Sequence, residues 1–359
     1  MRKLAGLIAL PDGSLSAGTI AFGSSIEQIA PGAATATDFI LPGFIDLQVN
    51  GAFGIDVMSA PPAALNQLGR CLAREGTTAW LPTALTAPLE TLETVAANVG
   101  AARAAQGADC ATVLGLHAEG PFISPHRLGV HPGLNLEPKG EPLQRVLALE
   151  ELRLITMAAE LPGACEAIAR LRARGVAVSI GHCDATMVQA RAAVAAGASM
   201  FTHVFNAMRP LHQREPGVIG AALAPSAAFA AVIADGAHLH PEILGLIYRL
   251  RSATGMILTS DSVAAAKLAE RPAPPTGAAV DNIGRLAGSL ISMLDAVRMM
   301  ISVVDVSPAE AALMAATNPA TVLGLRDRGR LAPGAVADMV VLDRELRLKA
   351  VFARGRELD

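Results

Sequence analysis

"GVAVSIGHCDATMVQARAAVAAGASMFTHVFNAM", residues 175–208, decides how the rest of the chain is read. It opens on an apolar run, Val176–His182, that ends in a histidine. An Ala-rich amphipathic stretch follows, with Asp184 as its expected N-cap and Gly197 as its stop. A second apolar run, Ser199–Phe205, carries His203. Continuous apolar strands joined through a helix read as a parallel βαβ unit, because a parallel strand is covered on both faces.

The same rhythm continues in both directions. Apolar runs lie at Phe44–Asn50, Thr77–Ala84, Thr112–Glu119, Leu152–Glu160, Val176–His182, Ser199–Phe205, Phe229–His238 and Met256–Asp261. Helical stretches such as "GACEAIARLRARG" (163–175) separate them. Eight such units predict an α/β fold, a (β/α)8 barrel of the TIM type over residues 44–328, with its active face at the C-terminal strand ends. Residues 1–43 and 329–359 instead hold short strands with Pro-Asp-Gly and Pro-Gly turns. Those two ends are expected to pair into a small flanking β-sandwich domain.

A length of 359 residues suits one barrel plus such an appendage. The chain is 52% hydrophobic but only 3% aromatic, so its core is built of Ala, Leu, Val and Ile. A net charge of −3 offers no basic face for nucleic acid. Cys71, Cys110, Cys165 and Cys183 form no CxxC pair and read as reduced cytoplasmic thiols. The start "MRKLAGLIALPDG" reads as a strand and turn rather than a signal peptide. Pro216–Ala234 is uncharged, but it contains Gly217, Gly220 and Pro225 and runs into Asp235 and His238, which favours barrel core over a membrane span.

The strand ends carry the chemistry. In "HAEGPF" (117–122), Glu119 closes an apolar run, and a buried carboxylate needs a compensating partner. His182, His203 and Asp261 end other strands, so a barrel brings all four to one mouth. One carboxylate and two imidazoles form a three-ligand set with room for a water, as in catalytic zinc sites. Asp261 is the candidate that takes the water's proton and returns it to a leaving group. His117 shares the face of Glu119 and reads as a residue behind the ligands, while Gln48 and Asn50 end the first strand. His126, His212 and His240 read as loop histidines, and Cys183 points away from the site. In "NAMRPLHQREPG" (206–217), Asn206, the Ala207 N–H and Arg214 suit a phosphate, joined by His238 of "DGAH"; pairing of Arg214 with a surface carboxylate is the alternative.

Together these residues resemble the N-acetylglucosamine-6-phosphate deacetylase family of the amidohydrolase superfamily. The resemblance is collinear through "LPGFIDLQVNG" (41–51), "HAEGPF" (117–122), "GVHPG" (129–133), "GHCDA" (181–185), "THVFNAM" (202–208), "REPG" (214–217), "DGAH" (235–238), "TSD" (259–261) and "LAGS" (286–289). It implies hydrolysis of the acetamide of N-acetyl-D-glucosamine 6-phosphate to D-glucosamine 6-phosphate and acetate by a metal-bound water. It implies metal binding by Glu119, His182 and His203, and proton transfer by Asp261. His131 would donate to the developing oxyanion. Substrate contacts would come from Val130, His131, Asn206, Ala207, Arg214, Asp235, His238, Leu286, Ala287 and Gly288. Arg214 would reach the phosphate in a neighbouring subunit, which implies a homodimer.

One departure stands out. Most members of the superfamily carry His-x-His at the first strand end, where this chain has Gln48-Val49-Asn50. Strand four ends at Glu160, with no lysine to bridge two metals. Both features favour one divalent metal, Zn²⁺ ahead of Fe²⁺, Mn²⁺ or Co²⁺, with Gln48 and Asn50 touching its water or its ligands. The same chemistry on N-acetylgalactosamine 6-phosphate is the nearest rival reading. A cyclic-amide hydrolase requires the missing His-x-His and lysine, and a non-catalytic sugar-phosphate or metal binder has no need of Asp261.

Overall fold

The computed structural model describes residues 1–32, 37–268 and 277–358. The eight runs become the parallel strands β1 (Phe44–Val49), β2 (Thr77–Leu85), β3 (Leu116–Glu119), β4 (Leu152–Met157), β5 (Ala177–Ile180), β6 (Met200–Phe201), β7 (Phe229–Val232) and β8 (Met256–Leu258). They are hydrogen-bonded in chain order from β1 to β8. The run expected to start at Thr112 is split: Thr112–Val113 pairs on β2, and β3 begins at Leu116. The seam is bridged by Val49 against Ser262 and by Asn50 N–H donating to Ser262 O at 2.8 Å. Buried Asp46 of β1 accepts from Ser260 N and Thr259 Oγ1, both just after β8, at 3.2 Å each.

Strand alternation sorts the side chains into two cores. Trp80, Leu116, Ile155, Val178, Phe201, Val232 and Leu258 face the surrounding helices. Ile45, Ala79, Leu81, Leu154, Ala177, Met200, Ala231 and Ile257 fill the barrel. Further along the inward face the residues turn polar: Thr83, His117, Glu119, Thr156, Ser179 and Thr202 are all buried. This change from apolar to polar along one face of the strands builds the floor of a site at the C-terminal rim.

The helix of the opening stretch, Met187–Ala195, is capped by Thr186 rather than Asp184. Thr186 Oγ1 accepts from Gln189 N while Gln189 Oε1 accepts from Thr186 N, a capping box worth about 1 kcal/mol. Asp184 is engaged elsewhere, by two arginines. Gly197 does stop the helix: its N–H donates to Val194 O and Ala198 N–H to Ala193 O, with Gly197 at φ +117°.

Both chain ends meet in one mixed seven-stranded sheet. Arg2–Ala9 lies between Leu15–Phe22 and Phe39–Pro42, and the C-terminal strand Met339–Leu342 pairs antiparallel with Phe39–Pro42. Leu348–Ala353 is four strand positions from Leu15–Phe22, about 19 Å in a flat sheet. Yet Phe352 and Phe22 meet edge to face with ring centroids 5.3 Å apart. The sheet therefore curls over its own core of Ile8, Ile20, Phe22, Ile40, Met339 and Phe352. Gly355 completes the closure, because a Cβ there would run into Gly23 O.

Candidate active site

Four side chains converge on Glu119, the last residue of β3. Its Oε1 lies 2.9 Å from His203 Nε2, 3.2 Å from His182 Nε2 and 2.9 Å from Gln48 Nε2, which donates to it. His131 Nε2 is 3.6 Å from Oε2. All five residues are buried. Burial opposes ionisation of Glu119, but the imidazoles of His131, His182 and His203 against it outweigh burial and hold its carboxyl well below the usual range.

This donor set fits a divalent cation. The ligand atoms of Glu119, His182 and His203 all lie within 4.8 Å of one another. His182 Nδ1–H donates to Arg127 O at 3.0 Å, which leaves a lone pair on Nε2 in the neutral ring. That lone pair faces a carboxylate oxygen, an arrangement that is favourable only with a proton or a cation between them. Buried His203 Nδ1 has no partner among the described residues. His182 and His203 lie just past their strands at φ +46° and +27°, and Asp261 at +49°. These left-handed turns cost about 1–2 kcal/mol each and cluster at the rim of the site.

A cavity of about 310 Å³ opens above this cluster. Asn50, Glu119, Val130, His131, His182, His203, Asn206, Ala207, His238, Asp261 and Leu286–Gly288 all line it. Asp261 is fixed by Asn50 Nδ2, which donates to Oδ1 at 2.8 Å. Burial, then the charge of Glu119, pushes the Asp261 carboxyl up to about 8. Thr86 N–H donates to His131 Nδ1 at 3.2 Å, so the ring proton sits on Nε2, on the side of Glu119.

The remaining expected residues have other placements. Gln48 is buried against Glu119 without lining the cavity. His117 lies beneath it, donating from Nδ1 to Leu47 O and accepting at Nε2 from Thr156 Oγ1, both at 2.9 Å. Burial lowers His117 to about 4, which keeps it neutral. Asp235 does not line the cavity. Its Oδ1 accepts from Ala237 N and His238 N, and its Oδ2 accepts from His238 Nδ1 at 2.7 Å, so it aims the histidine. Arg214 is exposed and outside the lining, and its backbone N–H donates to His212 Nδ1 at 3.2 Å. Cys183 donates to Glu160 Oε2 at 3.1 Å, away from the cluster.

One charged lining residue was not among those singled out in the sequence. Arg285 is the cavity's arginine, with Nε held by Asp281 Oδ2 at 2.8 Å in the hairpin that carries Leu286–Gly288. Its place immediately before "LAGS" was the available signal.

A sequence model of the amidohydrolase family matches residues 39–358. An N-acetylgalactosamine-6-phosphate deacetylase of Escherichia coli O157:H7 is 37% identical over 347 residues, covering 93% of this chain and 91% of that protein. An N-acetylglucosamine-6-phosphate deacetylase of Lysinibacillus sphaericus is 37% identical over 330 residues, covering 89% and 85%. Among solved structures, an Asp-to-Ala mutant of the Mycobacterium smegmatis N-acetyl-D-glucosamine-6-phosphate deacetylase, in complex with N-acetyl-D-glucosamine 6-phosphate, superposes with a TM-score of 0.90. It is 30% identical and covers 99% of this chain and 98% of that one.

Proposed function

The chain belongs to the amidohydrolase family, and from that premise we propose that it hydrolyses the acetamide of N-acetyl-D-glucosamine 6-phosphate to D-glucosamine 6-phosphate and acetate. The observation that carries this reading is the convergence of Glu119, His182 and His203 at the floor of a cavity that Asp261 and His131 also line. Glu119, His182 and His203 would hold one divalent cation, with Zn²⁺ the best match to two imidazoles and a carboxylate, ahead of Fe²⁺, Mn²⁺ or Co²⁺. Bound there, the cation supplies Lewis acidity toward the acetamide carbonyl and the attacking water.

The chain's own groups do the rest. Asn50 holds Asp261 Oδ1, which orients the carboxyl at the edge of the cavity to take a proton from water and pass it to the departing amine. His131, with its proton on Nε2, donates to the oxygen on which charge develops. Gln48 steadies Glu119, and Gln48 and Asn50 stand where a second metal would need histidines. At the other end of the cavity, His238 presents Nε2 because Asp235 occupies Nδ1, and the Asn206–Ala207 backbone turns at φ +48° on Ala207. These groups suit the phosphate. Exposed Arg214, with no ion pair among the described residues, suits a reach into the cavity of a second copy in a homodimer. The chemistry is assigned to the barrel, 44–328, with the two ends as a flanking unit.

No helix among the described residues is long and apolar enough to cross a membrane. The four cysteines are free, which suits the reducing cytoplasm.

The second reading is N-acetylgalactosamine 6-phosphate as substrate, favoured by the equally identical Escherichia coli relative. The test is acetate release from both 6-phospho sugars by metal-loaded protein. Faster turnover of the gluco sugar is expected. Release from neither sugar overturns the proposal, and release from the galacto sugar alone replaces it with the second reading.

A further inference from the structure

Asp184 lies two residues past His182 and stands between two arginines from different loops. Arg127, in the loop after β3, places Nε and Nη2 at 2.8 and 2.7 Å from Asp184 Oδ1. Arg209, in the loop after β6, places Nη2 at 2.9 Å from Oδ2. The carboxylate thus has one oxygen for each loop.

Each loop carries a different part of the site. The first contains Arg127, whose carbonyl orients the His182 ring, and His131 four residues on. The second contains Asn206 and Ala207, three and two residues before Arg209. Backbone bonds knit the same three segments: Ser124 N–H donates to His182 O, Cys183 N–H to Ala207 O, and Arg209 N–H to Cys183 O. Glu160 secures the centre by accepting from Asp184 N at 2.7 Å. Partly exposed ion pairs like these contribute little to global stability, at most about 1 kcal/mol each. Their geometry fixes where loops stand rather than whether the barrel folds.

We propose that Asp184 is a positioning residue that locks the His131 loop and the Asn206–Ala207 loop to one carboxylate, setting the carbonyl-polarising end and the phosphate end of the cavity relative to each other. Arg127 is the arm that serves the reacting end, and Arg209 the arm that serves substrate holding. The proposal rests on the deacetylase reading for the meaning of the two ends.

The test is the steady-state kinetics of Arg127→Met, Arg209→Met, Asp184→Asn and Asp184→Glu, with amide hydrogen exchange of the two loops and metal content measured on each protein. Arg127→Met should lower kcat about tenfold with KM little changed, well inside the roughly hundredfold that an ångström-scale misplacement can cost. Arg209→Met should raise KM about tenfold with kcat little changed, on the same grounds. Asp184→Asn should do both, and Asp184→Glu should recover part of each. Exchange should quicken in the first loop alone for Arg127→Met, in the second alone for Arg209→Met, and in both for Asp184→Asn. Equal effects on kcat and KM in all variants, or a kcat loss that added metal restores, would overturn the lock. If wild-type protein releases no acetate, the deacetylase reading fails instead, and loop exchange in the variants still decides whether the lock exists.

Discussion

Asn50 and Asp261, 211 residues apart in sequence, are joined by a 2.8 Å hydrogen bond from Nδ2 to Oδ1 across the seam between the first and last barrel strands. Closing the barrel therefore also positions Asp261, the proposed proton-transfer group. Replacing Asp261 by Asn keeps the shape of the side chain and removes its basicity. Asp261→Asn should lower kcat by about 10²–10⁴-fold while metal content stays at the wild-type level. Kinetics and metal analysis on one preparation check this, and retention of most of the turnover would remove Asp261 from the role.

Glu119 is the group on which the His182 and His203 imidazoles converge. A cation that binds the folded state alone stabilises it by about 2.7 kcal/mol at a hundredfold excess over Kd. Zn²⁺ should raise the melting temperature of wild-type protein and leave Glu119→Gln almost unmoved. The check is a thermal melt of metal-stripped protein with and without Zn²⁺.

Metal-free protein should lose stability as pH rises from 6.5 to 8. Burial and the Glu119 charge raise Asp261 from 3.8 to about 8, so in this window the folded chain holds a proton that the unfolded chain has released. Stability then falls with pH until the folded carboxyl ionises. Burial raises Asp46 only to about 6, so it is largely ionised here in both states. His117, lowered by burial from 6.5 to about 4, contributes below this window, where acidification destabilises the fold. Urea melts at several pH values should show the falling slope, and Asp261→Asn should flatten it.

Gly288 sits at φ +92°, where a Cβ would stand 2.8 Å from Asp261 O and 2.5 Å from Val263 Cγ1. Gly288→Ala should displace the segment bearing Asp261 and lower kcat more than tenfold, given the roughly hundredfold cost of small misplacements near reacting groups. Matched kinetics and melts check that the loss in rate exceeds the loss in stability.

Much of this was legible in the sequence, for a physical reason. Strands covered on both faces must be apolar throughout, so polar residues at their ends stand out, and Glu119, His182, His203 and Asp261 did. What stayed hidden depends on partners far away in the chain. Asp184 looked like a helix cap, but Arg127 and Arg209 claim its carboxylate and Thr186 caps instead. Asn50 gave no sign of Asp261, nor did Arg285 of the cavity that its hairpin folds back to line. The pairing of the chain ends followed from their turns, whereas the curl that brings Phe22 onto Phe352 is a property of the whole sheet.

The most direct measurement is acetate release from N-acetyl-D-glucosamine 6-phosphate by metal-stripped protein titrated with Zn²⁺. With Glu119, His182 and His203 as one site, and Gln48 and Asn50 in place of further histidines, activity should rise from near zero to a plateau at one equivalent per chain. A plateau reached only at two equivalents, or no acetate at any equivalence, would contradict a single-metal deacetylase.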